Sequence, residues 1–362
     1  MKRLNYIFVL FAVLLWGCND SASLQGDGEQ IVVLTKPYIY LDAGISTKAS
    51  LVGGTVLDDN FSVYGYTYDF SNKWSTYRVT AKPNVFDNVP QNVTYLNGSY
   101  KYTPVKEWQG GKYTFFAFHP QDVSHSSATD EGTPYLTYEL NFNNVGKHID
   151  IMTAMFEDTS LSSSPYVYFD FYHRLSAVDV VAMNFYEYNH TEGSTTTTER
   201  ITIDLVGLQL QFENVQYKAA KIYLDRRIPS VCTDADAGTN PNYTIYSENS
   251  GVTLSIAYNE DATLRPITAS PLDKSMIFIP QENTDLKVTT TVKFKKRRPN
   301  GEYLTDDKGN EVFTETIETP FKQALKEGSR YYLQMTFTSS AVSISILTSA
   351  EWDDIKVDYE FD

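Results

Sequence analysis

From residue 31 onward the chain is a succession of short runs in which apolar or aromatic residues alternate with polar or small ones, separated by Gly, Pro, Asn and Asp. A two-residue period puts alternate side chains on opposite faces of an extended chain, so it predicts strands rather than helices. Residues 31–34 and 38–41 form one early extended stretch broken by Pro37. Further strands are predicted over 61–66, 112–118, 166–171, 177–185, 201–212, 220–224, 252–257, 276–279 and 286–294. A hairpin follows, marked by the turn signals Pro299-Asn300-Gly301 and Asp307-Lys308-Gly309-Asn310. Residues 189–199 contain no aliphatic or aromatic side chain and read as an exposed loop. One helix is predicted, over 319–328, where Thr319 can cap, Pro320 suits the first turn and Gly328 ends it. Residues 330–338 and 342–347 read as two strands joined at Ser339-Ser340.

The C-terminal segment is the most regular. In residues 355–362, Ile355, Val357, Tyr359 and Phe361 alternate strictly with charged residues, and on a strand these four share one face. Two readings stand: an edge strand of its own sheet, or a strand donated to another subunit. Trp352 and two Asp separate the segment from the strand before it.

The N-terminus follows different rules. Lys2 and Arg3 precede an apolar stretch over 4–16, too short to span a bilayer with margin and placed like the hydrophobic part of a signal peptide. It ends in Leu15-Trp16-Gly17-Cys18, which resembles a bacterial lipobox, the motif in which a Cys becomes N-terminal and acylated, palmitate being one such acyl group. Trp16 is bulkier than that motif prefers. Residues 1–17 then form the signal peptide and Cys18 the lipidation site. Residues 18–30 are polar and contain Gly, Ser and Asp, as a flexible tether would. The chain has only one other cysteine, Cys232, so a lipidated Cys18 leaves no intramolecular disulfide in an exported protein. Cys232 reads as a buried small hydrophobe.

Composition narrows the class. The 27 Tyr and 20 Phe favour strands. A formal net charge of −15, from 30 Lys plus Arg against 45 Asp plus Glu, argues against a nucleic-acid partner. No nucleophile elbow, His-Glu-x-x-His, phosphate loop or dinucleotide glycine pattern occurs, and the five His lack metal-ligand spacing. Asp234-Ala235-Asp236-Ala237-Gly238 begins like a calcium loop, but Ile245 stands where a bidentate Glu is needed. No enzyme, metal or cofactor is therefore expected. The basic run at 293–298 reads as the solvated end of a hairpin strand and as a trypsin-sensitive site.

Several segments together point to one family. They are the lipobox at Cys18, Ser46-Thr47-Lys48-Ala49 after the early strand, and Phe61-Ser62-Val63-Tyr64-Gly65-Tyr66. Phe169-Asp170-Phe171-Tyr172-His173-Arg174-Leu175-Ser176-Ala177-Val178, Ile279-Pro280-Gln281, Gly328-Ser329-Arg330-Tyr331-Tyr332 and Trp352 complete the set. In this order they resemble the fimbrillins, the lipoprotein subunits of type V pili of Bacteroidales. The resemblance implies an all-β chain with little helix, built of two β-sandwich domains of transthyretin-like topology, here 31–188 and 189–362. It implies export to the outer membrane as a lipoprotein, then a cut by a trypsin-like protease between Lys48 and Ala49 that removes the first strand with the lipid. The family pattern has Arg where this chain has Lys48. The emptied groove would accept a donor strand from the next subunit, with Ile355, Val357, Tyr359 and Phe361 as its apolar side chains. The expected function is a structural or adhesive subunit of a surface fimbrium. Its partners would be other pilus subunits, the membrane through its lipid, and host glycans or proteins. The alternative is a surface glycan-binding lipoprotein, in which Trp74, Trp108 and Trp352 stack on sugars.

Overall fold

Strands make up almost all of the regular structure, as the alternation predicts. The computed structural model describes residues 38–45, 55–57, 59–127, 129–162, 166–236, 240–246, 252–254, 265–266 and 275–349. In chain order the strands begin with β1 (Tyr40–Ile45), β2 (Thr55–Val56), β3 (Phe61–Tyr68), β4 (Gln91–Leu96), β5 (Ser99–Lys101) and β6 (Lys112–His119). Next come β7 (Tyr135–Glu139), β8 (Met152–Thr159), β9 (Tyr166–His173), β10 (Ser176–Asn184), β11 (Glu187–Glu192) and β12 (Thr195–Arg200). They continue with β13 (Thr202–Glu213), β14 (Tyr217–Tyr223), β15 (Val231–Asp234), β16 (Asn242–Tyr246), β17 (Val252–Leu254) and β18 (Arg265–Pro266). The last are β19 (Met276–Phe278), β20 (Lys287–Arg297), β21 (Val312–Pro320), β22 (Arg330–Phe337) and β23 (Val342–Ser349). A single turn of helix, α1 (Trp74–Tyr77), follows β3.

The largest sheet has eight strands in the order β2-β1-β9-β8-β6-β3-β4-β5. Its centre is buried on both faces. On one face Phe61, Val63, Phe115, Ala117, Phe169 and Phe171 share a core with Ile39, Leu41 and Ala43. On the other, Tyr64, Tyr66, Phe116, Phe118 and Trp74 join a second core that continues into the C-terminal half. Double burial explains why β6 carries no charged residue from Tyr113 to Phe118 and why only small or apolar residues separate the aromatic ones of β3. Tyr64 and Tyr68 keep their buried hydroxyls paired. Tyr64 donates to the Ser126 carbonyl at 2.7 Å, and burial pushes its pKa up to about 12. Tyr68 donates to Asp158 at 2.5 Å, and the same carboxylate accepts the Trp74 backbone N–H at 3.0 Å. Gly65 is required by packing: a Cβ there would lie 2.7 Å from the Val85 side chain and 2.8 Å from the Phe86 ring.

The change of sheet falls between β9 and β10. β10 runs parallel to β22 in a sheet ordered β18-β10-β22-β23, with β19 also on β10. A further sheet, β16-β13-β20-β21, carries β17 on β13. In the sheet β15-β14-β7, β7 pairs with β14 from beyond β10 and ties the two halves of the chain together. Three of the quoted motifs meet at the β9–β10 junction. His173 bonds Asp150 at 2.7 Å, and the buried Arg174 donates to Glu327, Thr153 and the Tyr223 carbonyl. Ser176 donates to the Lys326 carbonyl, and the Gly328 N–H donates to the Leu175 carbonyl. Gln281 exchanges two backbone bonds with Leu325.

Two expected elements differ. Residues 319–328 are not a helix: Thr319 and Pro320 end β21 in register with Val288 and Lys287, and Lys322 has a left-handed φ of 54°. Ladder pairing to β20 outweighs a local cap signal. Residues 189–199 are not a loop but most of the hairpin β11–β12, turning at Gly193 with φ 63°. A threonine-rich ribbon satisfies its backbone by pairing and, being exposed, requires no apolar face.

Alternation along β9 generates one prediction. Phe169→Ala is expected to lower unfolding free energy by about 3–5 kcal/mol in urea melts, whereas Tyr168→Ala costs under about 1 kcal/mol. His148 generates a second. It is 2% exposed, its Nδ1 accepts the Ile277 N–H at 2.8 Å, and its Nε2 donates to the Asn141 carbonyl at 2.9 Å. Burial lowers its pKa, against the smaller opposing effect of the Asn141 bond, so the folded state holds it neutral while the unfolded chain protonates near pH 6.5. Its stabilisation is complete above that pH and is lost as pH falls below it. The melting temperature should fall from pH 7 to 5, and His148→Gln should flatten that fall.

Candidate functional site at the first strand

β1 closes the first core. Residues Tyr40 to Ile45 pair in parallel, residue for residue, with Tyr166 to Phe171 of β9. The alternation of β1 matches this role: Leu41 and Ala43 are buried beside Ile39, and Tyr40 and Asp42 are exposed. Against them lie Val167, Phe169 and Phe171 of β9, each fully buried. On its other side, among the described residues, β1 pairs with the two-residue β2, through Gly44–Val56 and Ile45–Thr55. The far end of the sheet curls round to meet it. Tyr38 bridges Glu107, the Ile39 N–H donates to the Lys106 carbonyl at 2.9 Å, and the Tyr102 hydroxyl donates to the Ile39 carbonyl at 2.8 Å. Tyr100 donates to the Leu57 carbonyl. Burial raises the Tyr102 pKa, which keeps that hydroxyl a donor.

The site is therefore mechanical rather than chemical: a strand seated by a six-residue ladder on β9, a two-residue one on β2, apolar side chains of the segment 39–43 and a few bonds from the opposite edge. Lys48 and Ala49 follow it in sequence, between the end of β1 and the start of β2. Cys18, Lys48, Ala49, Ile355, Val357, Tyr359 and Phe361 themselves lie outside the described residues, as do residues 31–34 and Trp352. Sequence reasoning missed Tyr100, Tyr102 and Lys106, whose role arises only when the sheet curls; no local pattern announces that.

Other candidates take ordinary structural roles. Trp74 and Trp108 are 0% and 5% exposed, so neither can stack on a sugar as the glycan-binding alternative requires. Trp74 packs against Tyr66 and Phe116, and Trp108 against Tyr113. Cys232 is half-buried on β15 rather than fully buried, and burial, aided by the Asp234 carboxylate, raises its pKa away from thiolate reactivity. Asp236 pairs with Lys218 at 3.0 Å, and no cluster of three metal-ligating side chains occurs among the described residues. The basic run is less solvated than expected. Arg297 pairs with Asp204, Arg298 with Glu199 and Lys295 with Glu311, while Lys296 lies 3.9 Å from the Phe313 ring centroid.

Likeness to known proteins agrees with this architecture. A fimbrial protein from Bacteroides vulgatus aligns with a TM-score of 0.57 at 19% identity, covering 86% of this chain and 98% of that one. A candidate cell adhesion protein from Bacteroides uniformis aligns with a TM-score of 0.47 at 16% identity, over 87% and 99% of the two chains. One from Bacteroides ovatus gives 0.45 at 16%, over 86% and 95%. The first likeness establishes the shared fold. No curated protein matches the chain. The sequence model of the fimbrillin-like family matches residues 47–352, which is most of the chain. The chain belongs to the fimbrillin-like family.

Proposed function

We propose that this chain is an exported lipoprotein, anchored in the outer membrane through Cys18, that becomes a subunit of a surface pilus when its first strand is exchanged for a neighbour's. The observation that carries the reading is β1: it seals a core through a six-residue ladder on β9, and the connection after it contains Lys48 and Ala49. A cut there leaves β1 held without a covalent link to the body. Its departure bares the row Val167, Phe169 and Phe171 and the backbone edge of β9, a template for strand addition. We assign the donated strand to Ile355, Val357, Tyr359 and Phe361. In the same reading each half of the chain is a β-sandwich domain of transthyretin-like topology.

Magnitudes set the order of events. Burying four such side chains contributes about 6–12 kcal/mol. Fixing roughly seven residues of backbone costs about 7–14 kcal/mol. The two nearly cancel, so ladder bonds, at about 1 kcal/mol net each, decide the outcome. Those bonds are available only in an open groove, so cleavage precedes exchange.

Brief trypsin treatment of the folded chain is expected to cut first after Lys48, as read by fragment mass, and to leave the circular dichroism of the remainder unchanged. Mass spectrometry of the uncut cell-bound form is expected to find Cys18 acylated. A first cut at Arg297 or Arg298 contradicts the processing assignment, and an unmodified Cys18 contradicts the anchor.

A further inference from the structure

The outer face of β9 is open, unlike that of β3 and β6 at the sheet's centre. Val167, Phe169 and Phe171 face the core, so by alternation Tyr166, Tyr168, Asp170 and Tyr172 share the opposite face. The parallel register sets Tyr40 beside Tyr166 and Asp42 beside Tyr168. Tyr40, Tyr166 and Tyr168 are 46%, 59% and 48% exposed. Tyr40 and Tyr166 stack with ring centroids 5.1 Å apart. Three large aromatic side chains grouped on one open sheet face are an interaction surface rather than scattered surface residues.

The chemistry of the row is specific. The Asp42 and Asp170 carboxylates flank the Tyr168 hydroxyl closely enough to add to the effect of burial in raising its pKa. Asp170 also accepts the Tyr172 hydroxyl at 2.9 Å. At the end of the row the Arg226 guanidinium lies 3.9 Å from the Tyr172 ring centroid. The protein thus already seats one of its own cations on this row, and the exposed rings beyond it repeat the same combination of aromatic face and carboxylate.

We propose that Tyr40, Tyr166 and Tyr168, with Asp42 and Asp170, form a binding surface for an extended peptide segment bearing Lys or Arg at alternate positions. Same-face residues on β9 recur every two residues, about 6.6 Å, which is also the spacing of same-side residues in an extended ligand. Successive basic side chains therefore meet the Tyr166 ring, the Tyr168 ring and then the Asp170 carboxylate. The chain's net charge of −15 draws such a segment in. A neutral sugar could stack on the rings and donate hydroxyls to the carboxylates, but only a cationic ligand neutralises the row's charge as Arg226 does at its end. Tyr40 and Asp42 ride on β1, so exchange of that strand would replace one wall of the surface; that consequence, unlike the surface itself, rests on the strand-exchange reading.

The test uses the full, uncut chain and a fluorescent twelve-residue peptide of alternating Arg and Ser, followed by anisotropy at physiological salt. Tyr166→Ser and Tyr168→Ser preserve charge, and each is expected to raise Kd by about 2- to 5-fold, the worth of one exposed cation–π contact. Tyr168→Phe keeps the ring and should bind as the parent does. Asp42→Asn with Asp170→Asn should weaken binding and flatten its salt dependence. Melting curves confirm that each variant is folded. Folded Tyr→Ser variants that bind like the parent would overturn the proposal, because attraction would then be general to the acidic chain. Displacement of the peptide by maltohexaose would overturn it in favour of a sugar site.

Discussion

A sheet edge backed by an apolar row cannot be left bare in water. β9 has such an edge: Val167, Phe169 and Phe171 are fully buried beneath it, and its backbone donors and acceptors need a partner strand. β1 supplies both the ladder and the cover. Everything else in the first sheet is arranged around that requirement. The sheet curls until the segment around Tyr102 and Lys106 reaches Ile39, so the strand that closes the core also joins its two ends. Because β1 is parallel to β9, its position comes from a long connection rather than from a hairpin, and no tight turn binds it to its neighbour. In the proposed exchange this is the strand that is replaced.

The remainder of the molecule is tied more firmly. β7 crosses to β14, and the β9–β10 junction is clamped by Arg174, which is 2% exposed and bonded to three groups from both halves of the chain. Asp225, also buried, accepts two side-chain bonds and a backbone bond from Arg227, which in turn pairs with Glu157 on β8. Buried charges kept in place by this many partners contribute geometry more than net stability, and breaking one partner is costly. The contrast between a clamped junction and a lightly held first strand is the mechanical signature of the fold.

Strand positions were legible in the sequence because alternation is local, and β3, β6, β9, β13 and β22 fall where the pattern predicts them. The helix expected at 319–328 failed because cap residues are a weak signal, and a nine-residue ladder with β20 overrides them. The hairpin β11–β12 was hidden because an exposed ribbon carries no hydrophobic mark. Trp74 and Trp108 illustrate a third limit: composition identifies aromatic side chains, but only packing decides whether they face a ligand or a core. Likewise, Tyr166-Val167-Tyr168-Phe169 reads as uniformly apolar, and its division into an inner and an outer face appears only in the sheet. Pairing partners, above all β1 with β9 and β10 with β22, join residues more than a hundred positions apart and leave no trace in a single sequence.

The central claim is that the place of β1 can be filled by a strand from another copy. The direct measurement is the formation of SDS-resistant ladders on unboiled gels by chain cut after Lys48, compared with the uncut chain and with cut chain carrying Val357→Asp and Tyr359→Asp. The account predicts ladders from the cut parent only, with the uncut double variant melting at the parent's temperature. Ladders from the cut double variant, or an uncut double variant destabilised by several kcal/mol, would contradict it and return residues 355–362 to their own sheet.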